Sequence, residues 1–277
     1  MKATGHLKKM RTEYKDAQTP VDYTLILDQD IEIPLNKLIG HIVELKHTGK
    51  INCINCGRAL KKTFAQGYCY PCFNSLAETD SCIVRPHECH HHLGTCRDNE
   101  FAEQHCFIPH VVYLAVSSGA KVGITRDHQK HTRWADQGAI QAMELAVVPH
   151  RKLAGEIEIE LSQHISDKTN WRKMLTIEHE PIDLLAAKST LLELILPKLE
   201  QALAYAEDSA TAIEMPEVCT IDFPLAQSAP ALKSLDLTKQ AEYTGELLGI
   251  KGQYLIFADR VFNVRRHAGF KVEIQVR

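Results

Sequence analysis

Long apolar runs are missing from this 277-residue chain: none approaches the ~18 residues that span a bilayer, and the mean hydropathy is −0.21. That excludes a membrane-spanning helix. The opening residues, MKATGHLKKMRTEYKDAQTP, are polar and lack the apolar core of a secretory signal, so the chain reads as cytoplasmic with no membrane partner. An excess of one charge is also lacking. The 32 Lys+Arg stand against 35 Asp+Glu, a net charge of −3, which excludes a globally basic nucleic-acid binder. The charges are unevenly placed, however. Residues 110–177 carry 9 basic and 7 acidic groups and residues 247–277 carry 6 and 2, so a local basic face remains open there. Residues 178–246 carry 4 basic and 13 acidic groups, and read as a solvated helix face or as a surface for a protein partner. Repeats and low-complexity tracts are absent. What is present, 44% hydrophobic and 24% charged residues, is globular and sufficient for two or three modest cores.

The pattern along the chain suggests five segments. Residues 1–52 contain short strands in YTLILD, DIEIP and KLIGHIVELK, where β-branched and apolar residues alternate with polar ones between Gly and Pro. Residues 241–277 repeat that signal in YTGELLGI, QYLIFAD, RVFNVR and FKVEIQV. The two β-rich ends either pair in one domain or stand apart. Between them lie a Cys/His-rich segment (53–109), an α/β segment (110–177), and a helical segment with connector (178–240). Within the last, residues 181–208 form an apolar helix face that Pro197 should kink or split, and 209–240 read as connector.

Eight of the nine cysteines fall between Cys53 and Cys106, mixed with histidines; Cys219 reads as a buried thiol. In a reducing compartment such clustering points to metal rather than disulfides. Cys53-x2-Cys56 and Cys69-x2-Cys72 are separated by twelve residues, close to the spacing of zinc ribbons. Four thiolates at tetrahedral corners make a closed structural zinc site, and Gly57 suits a tight knuckle whose amides donate to sulfur. A redox dithiol pair or bare cysteines are the other readings. Cys82, Cys89, Cys96 and Cys106 follow at spacings that match no single knuckle, with His87, His90, His91, His92, His105 and His110 nearby. They suggest a second zinc site or an iron-sulfur cluster, and at least two of the three consecutive histidines are solvated. Arg58, Lys61 and Lys62 alternate with Tyr68, Tyr70 and Phe73, as a phosphate-and-stacking surface would or as knuckle packing would.

Residues 111–125, VVYLAVSSGAKVGIT, read as a β-hairpin with Tyr113 and Gly123 on its two arms. TRWADQGAIQAMEL then reads as helix, VVPHRK as a third strand, and 151–166 as an amphipathic helix with Leu153, Ile157, Leu161 and Ile165 on one stripe. Glu158 and Glu160 flank that stripe, where one carboxylate can serve as a metal ligand or all can be solvating charges.

Tyr113, then Lys121-Val122-Gly123, Arg133, Glu158 and Asn170, in this order over residues 110–175, resemble the GIY-YIG nuclease superfamily. The resemblance implies a small three-stranded sheet flanked by helices that hydrolyses nucleic-acid phosphodiesters with one divalent metal. Val111-Val112-Tyr113 stands where the family writes Gly-Ile-Tyr, and Lys121-Val122-Gly123 where it writes Tyr-Ile-Gly, although a phage-associated branch writes Lys at that first position. Arg133 matches the catalytic helix arginine, with Arg126 as its stand-in. Glu158 matches the metal-binding glutamate and Asn170 the closing asparagine. On this resemblance Glu158 holds Mg²⁺ or Mn²⁺, Tyr113 positions or deprotonates water, Arg133 stabilises the transition state, and Lys121 either contacts phosphate or replaces a tyrosine's role with its positive charge. The CGR, GYCYPC, GTCRD, VGITR, RW-DQGA and SDKTNWRKML blocks also resemble an uncharacterised bacterial domain family of unknown function. The expectation is an α+β protein, with β-rich ends and a zinc-binding segment followed by this small sheet. Its function is then that of an endonuclease on DNA or RNA with one or two structural zinc ions, or that of a catalytically silent zinc protein binding nucleic acid or a protein.

Overall fold

The computed structural model describes every residue except 29, 166–169, 176–181, 207–209, 214–215 and 227–232, and leaves aside the side chains of 203, 205 and 206. It contains two compact units. One is Met1–Asn74 with Leu175–Ile177 and Ile221–Arg277; the other is Ser75–Met174 with Glu178–Thr220. The cysteine-rich segment 53–109 is therefore shared: Cys53 to Cys72 fold with the first unit and Cys82 to Cys106 with the second. No helix among the described residues is long and apolar enough to cross a membrane.

The first unit opens with β1 (Lys2–His6), β2 (Arg11–Glu13), β3 (Asp22–Leu27), β4 (Ile31–Pro34) and the long β5 (Ile42–Asn52). Alternation in β3 turns Tyr23, Leu25 and Leu27 inward, and β2-β3-β4 make a small antiparallel sheet. A two-residue strand, β6 (Ala59–Leu60), pairs with the end of β5, and α1 (Tyr70–Ser75) follows.

The second unit begins with α2 (Ser81–Val84) and α3 (Asn99–His105), capped by Asp80 and Asp98. The hairpin is present as β7 (His110–Val116) and β8 (Ala120–Arg126). Next come α4 (Lys130–Asp136), β9 (Gln141–Val148), α5 (Arg151–Leu161), α6 (Trp171–Leu175), α7 (Leu184–Ala206), β10 (Thr211–Ala212) and β11 (Cys219–Thr220). Four findings depart from the expectations. The sheet has five strands, in the order β10-β9-β7-β8 with β11 also on β9, rather than three. The helix around Arg133 stops at Asp136, because Gly138 takes φ +66 and its N–H donates to the Ala135 carbonyl. Residues 141–148, rich in helix formers, are drawn into a strand by pairing along β7. Pro197, finally, does not split α7: Leu191 and Ile195 before it and Leu199 after it are all buried, so packing on both sides outweighs the lost backbone bond. The core joins Val112, Leu114 and Val122 of the hairpin to Ile157 and Leu161 of α5 and Ile195 of α7.

The chain then returns to the first unit with β12 (Lys233–Leu235), β13 (Glu242–Lys251), β14 (Tyr254–Phe257), β15 (Arg260–Asn263) and β16 (Phe270–Val276). The described part of 209–240 thus holds three short strands besides connector. The two β-rich ends do pair, in one sheet ordered β1-β16-β5-β13-β14-β15-β12. Gly269 makes the closest approach. It has φ +86, and a Cβ there would lie 2.3 Å from the Asn52 carbonyl oxygen.

Candidate functional site

Two knuckles in the first unit bring four sulfurs together. Cys53 follows β5, its N–H donates to the Arg58 carbonyl and Gly57 N–H donates back to Cys53 O, both at 2.9 Å. Gly57 takes φ +72, which fits the tight turn expected after Cys56. Phe64 and Tyr68 exchange backbone hydrogen bonds at 2.8 and 2.9 Å around a loop in which Ala65, Gln66 and Gly67 all have positive φ. This reversal delivers Cys69 and Cys72 to the start of α1. The Sγ atoms of Cys53, Cys56, Cys69 and Cys72 lie within 4.8 Å of one another, and Cys56 Sγ is 3.7 Å from Cys69 Sγ.

The chemistry of this set fits a soft cation. The Cys69 N–H donates to Cys53 Sγ at 3.2 Å, the Cys72 N–H to Cys69 Sγ at 3.5 Å, and Asn55 Nδ2 to Cys72 Sγ at 3.4 Å. Burial pushes the Cys53 thiol up, but amides of Cys56, Cys69 and Asn55 outweigh it and bring the group down to about 6. The Asn55 amide favours the Cys72 thiolate, yet the neighbouring sulfurs and burial press that thiol up to about 12. Four sulfurs this close share protons until a cation replaces them, and a metal ion such as zinc is what this site can hold. The nearby aromatics serve the knuckles as well: Phe64 packs between Tyr70 (5.4 Å) and Phe73 (5.8 Å).

In the second unit Cys82, Cys89, Cys96 and Cys106 are half-buried and border one small, mostly apolar cavity. Among the described residues, the ligand atoms that converge there within 4.8 Å are those of Asp80, Cys82 and His90. Asp80, at the head of α2, lies 3.4 Å from His90 Nε2 and pairs with Arg97 Nε at 2.8 Å. Burial works against its carboxylate, but His90 and Arg97 hold it below the usual range. Burial and the Asp80 charge push the Cys82 thiol up to about 12, and burial raises that of Cys106. Other histidines are engaged as aromatic rings, His105 stacked on Phe101 at 4.1 Å and His91 edge-on to Phe107 at 4.6 Å.

The hairpin builds a third constellation. Tyr113 lies directly opposite Gly123, and a Cβ at 123 would come 2.6 Å from the Tyr113 ring and hydroxyl. The ring therefore crosses its partner strand where only glycine leaves room. It is fully buried, meets Trp134 edge-on at 5.8 Å, and donates its hydroxyl to Gln137 Oε1 at 3.0 Å. The Arg133 and Glu158 charges both act on that hydroxyl. Burial raises the Tyr113 pKa, Glu158 adds to the rise, and Arg133 and Gln137 oppose it. At neutral pH Tyr113 is a phenol, which suits positioning water and not deprotonating it. Of Arg133 and Arg126, Arg133 is the one whose charge acts on the Tyr113 hydroxyl.

Lys121, opposite Ala115, shares the Tyr113 face and is 5% exposed. Arg133 is exposed and Glu158 half-buried. Asn170 is occupied at the surface: its Oδ1 accepts the Arg172 and Lys173 amides at the head of α6, and its N–H donates to Ser118 Oγ at 2.9 Å. Sequence reasoning passed over Gln137 and Arg151. Gln137 sits inside the RW-DQGA block, where its place two turns from the hairpin carries no signal of its own. Arg151 opens α5, feels the Glu158 and Arg133 charges, and reaches the Ile83 carbonyl with Nη2 at 2.6 Å.

The model of a family described as "Protein of unknown function (DUF2797)" matches residues 40–272, and the chain belongs to that family. The matched span takes in the four-cysteine centre, the second cysteine group and the hairpin cluster together. No curated protein and no solved structure matches the chain.

Proposed function

We propose that the Tyr113 cluster is the reaction centre of a metal-dependent nuclease of the GIY-YIG kind, cutting nucleic-acid phosphodiesters, with structural zinc at Cys53, Cys56, Cys69 and Cys72. The observation that carries this reading is that the Tyr113 hydroxyl, bonded to Gln137, feels the charges of Arg133 and Glu158 from two different helices. Phosphodiester hydrolysis needs a metal on the phosphoryl oxygens, a placed water, and a cation where charge develops. Glu158 supplies the carboxylate for Mg²⁺ or Mn²⁺, Arg133 the cation, and Tyr113 a neutral hydroxyl that orients water. Arg126 and Arg151 line a cavity of about 300 Å³ with Glu78 and Cys106, and none of Tyr113, Arg133 and Glu158 borders it.

One observation favours a second reading, a catalytically silent zinc protein that binds nucleic acid or, through its acidic 178–246 segment, a protein. Tyr113 is fully closed to solvent, while Lys121 stands where a second tyrosine would be. The test is Mg²⁺- and Mn²⁺-dependent cleavage of labelled single-stranded, duplex and branched DNA and RNA, comparing the wild-type chain with Glu158→Ala at matched zinc content. Cleavage by the wild type that is lost in the variant supports the nuclease. No cleavage by the wild type rejects it in favour of the silent protein.

A further inference from the structure

Two cavities of about 420 and 340 Å³ lie on either side of the strap that joins the two knuckles, and both are bordered by Gln66 at its tip. Lys8, Lys9 and Arg265 wall the first over a floor of Ile54, Tyr68 and Ala268. Lys61, Lys62 and Arg266 wall the second over Ile51 and Phe270. These cations come from the connection between β1 and β2, the metal strap and the turn before β16, so only the paired β ends bring them together. The one carboxylate in either lining, Asp236, is already held by the Thr238 hydroxyl at 2.6 Å and by Arg266 at 3.4 Å. The surrounding chain is equally one-sided: from Leu45 to Ala77 it has Lys46, Lys50, Arg58, Lys61 and Lys62 and no carboxylate.

We propose that this pair of basic cavities is a docking groove for a single-stranded nucleic acid. Cations on the walls meet successive phosphates, and the apolar and aromatic floors receive bases, a division of labour that recognises a strand without reading its sequence. Two cavities in series, each with three cations, fit a polymer of regularly spaced negative charge better than a single small anion. The strap between them is pinned by the metal knuckles and by three consecutive residues of positive φ, Ala65, Gln66 and Gly67. It holds Lys61 and Lys62 in place before the strand arrives, which lowers the ordering cost of binding. The proposal takes the identity of the polymer from the nuclease reading, but it concerns binding alone.

The experiment measures polarisation of a fluorescent oligothymidine with the full-length zinc-loaded chain, over a salt series without added Mg²⁺ or Mn²⁺. Lys61→Gln/Lys62→Gln and Lys8→Gln/Lys9→Gln should each weaken binding about tenfold or more. Each pair should also flatten the slope of log affinity against log salt by roughly 1 to 1.5, at about 0.7 per lost phosphate contact. Zinc content and melting temperature check that each pair is folded; a pair that loses zinc is replaced by single Lys61→Gln and Lys8→Gln. Wild-type affinity and slope in both pairs would overturn the proposal, as would equal competition by an oligoglutamate peptide, which would make the groove an acidic-peptide site. A chain that binds but never cuts leaves the groove standing and removes the nuclease; one that cuts while both pairs bind normally does the reverse.

Discussion

The four-cysteine centre draws every ligand from one short stretch, Cys53 to Cys72, and its own amides point at its sulfurs. The Tyr113 cluster draws Tyr113 and Gly123 from facing strands, Arg133 and Gln137 from the end of a helix, and Glu158 from another helix. The first is a local device that a cation such as zinc can hold shut. The second is a by-product of tertiary packing, as exact as the sheet and helices that carry it. Ligand spacing can therefore announce a metal centre, whereas a cluster of the second kind exists only once the unit has folded. The second cysteine group lies between these extremes: its sulfurs share a cavity, but Asp80 there is already neutralised by Arg97.

The largest effect expected from breaking this contrast is at the metal. Cys69→Ser should lower bound zinc by one per chain and unfold the first unit while the second stays protected, since zinc binding energy at such sites is folding energy. Limited proteolysis with metal analysis checks this; unchanged zinc and an unchanged digestion pattern would refute a metal-held unit.

The same unit carries a handicap that can be relieved. Lys251 is 2% exposed, its ammonium rests over the Phe223 ring at 5.2 Å, and burial pulls its pKa down to about 8. The unfolded chain, with the ordinary value of 10.5, binds more protons between these limits, so stability should rise as pH climbs from about 8 to 10.5. Lys251→Met should stabilise the unit at pH 7 by up to about 3 kcal/mol and remove that rise. Urea unfolding across pH 7 to 10 reads both effects.

In the second unit Gly123→Ala drives a methyl into the Tyr113 ring and should cost about 1–3 kcal/mol of stability without altering zinc content. The smallest effect belongs to Tyr113→Phe. It removes the hydroxyl bond to Gln137 and should cost about 1 kcal/mol in a thermal melt. Full cleavage by this variant would show that the hydroxyl serves packing alone.

The two sites also differ in how much of them could be read beforehand. The knuckles were legible because Cys-x2-Cys spacing and Gly57 are local, and the hairpin because the apolar runs VVYLAV and KVGIT flank a Ser-Ser-Gly turn. Residues 141–148 were not, since Ala, Met, Glu and Leu favour helix until the edge of β7 claims them. The added strands β10 and β11 are two residues long, too short to leave a periodic trace. Gln137 and Arg151 were missed because their roles depend on partners distant in sequence, Tyr113 and Ile83. The pairing of the β-rich ends was undecidable in advance for the same reason. Strand patterns specify faces, and partners emerge only from the whole sheet.

That sheet places β16 between β1 and β5, and the Met1 ammonium donates to the Val276 carbonyl at 3.1 Å. During synthesis β2, β3 and β4 can pair among themselves, whereas β1 and most of β5 must wait for β13 and β16, which follow the second unit in the chain. The waiting strands are a window for aggregation or chaperone capture. Because the two ends finish side by side, a short link between Arg277 and Met1 with new termini in a surface loop would let the first unit close without the wait.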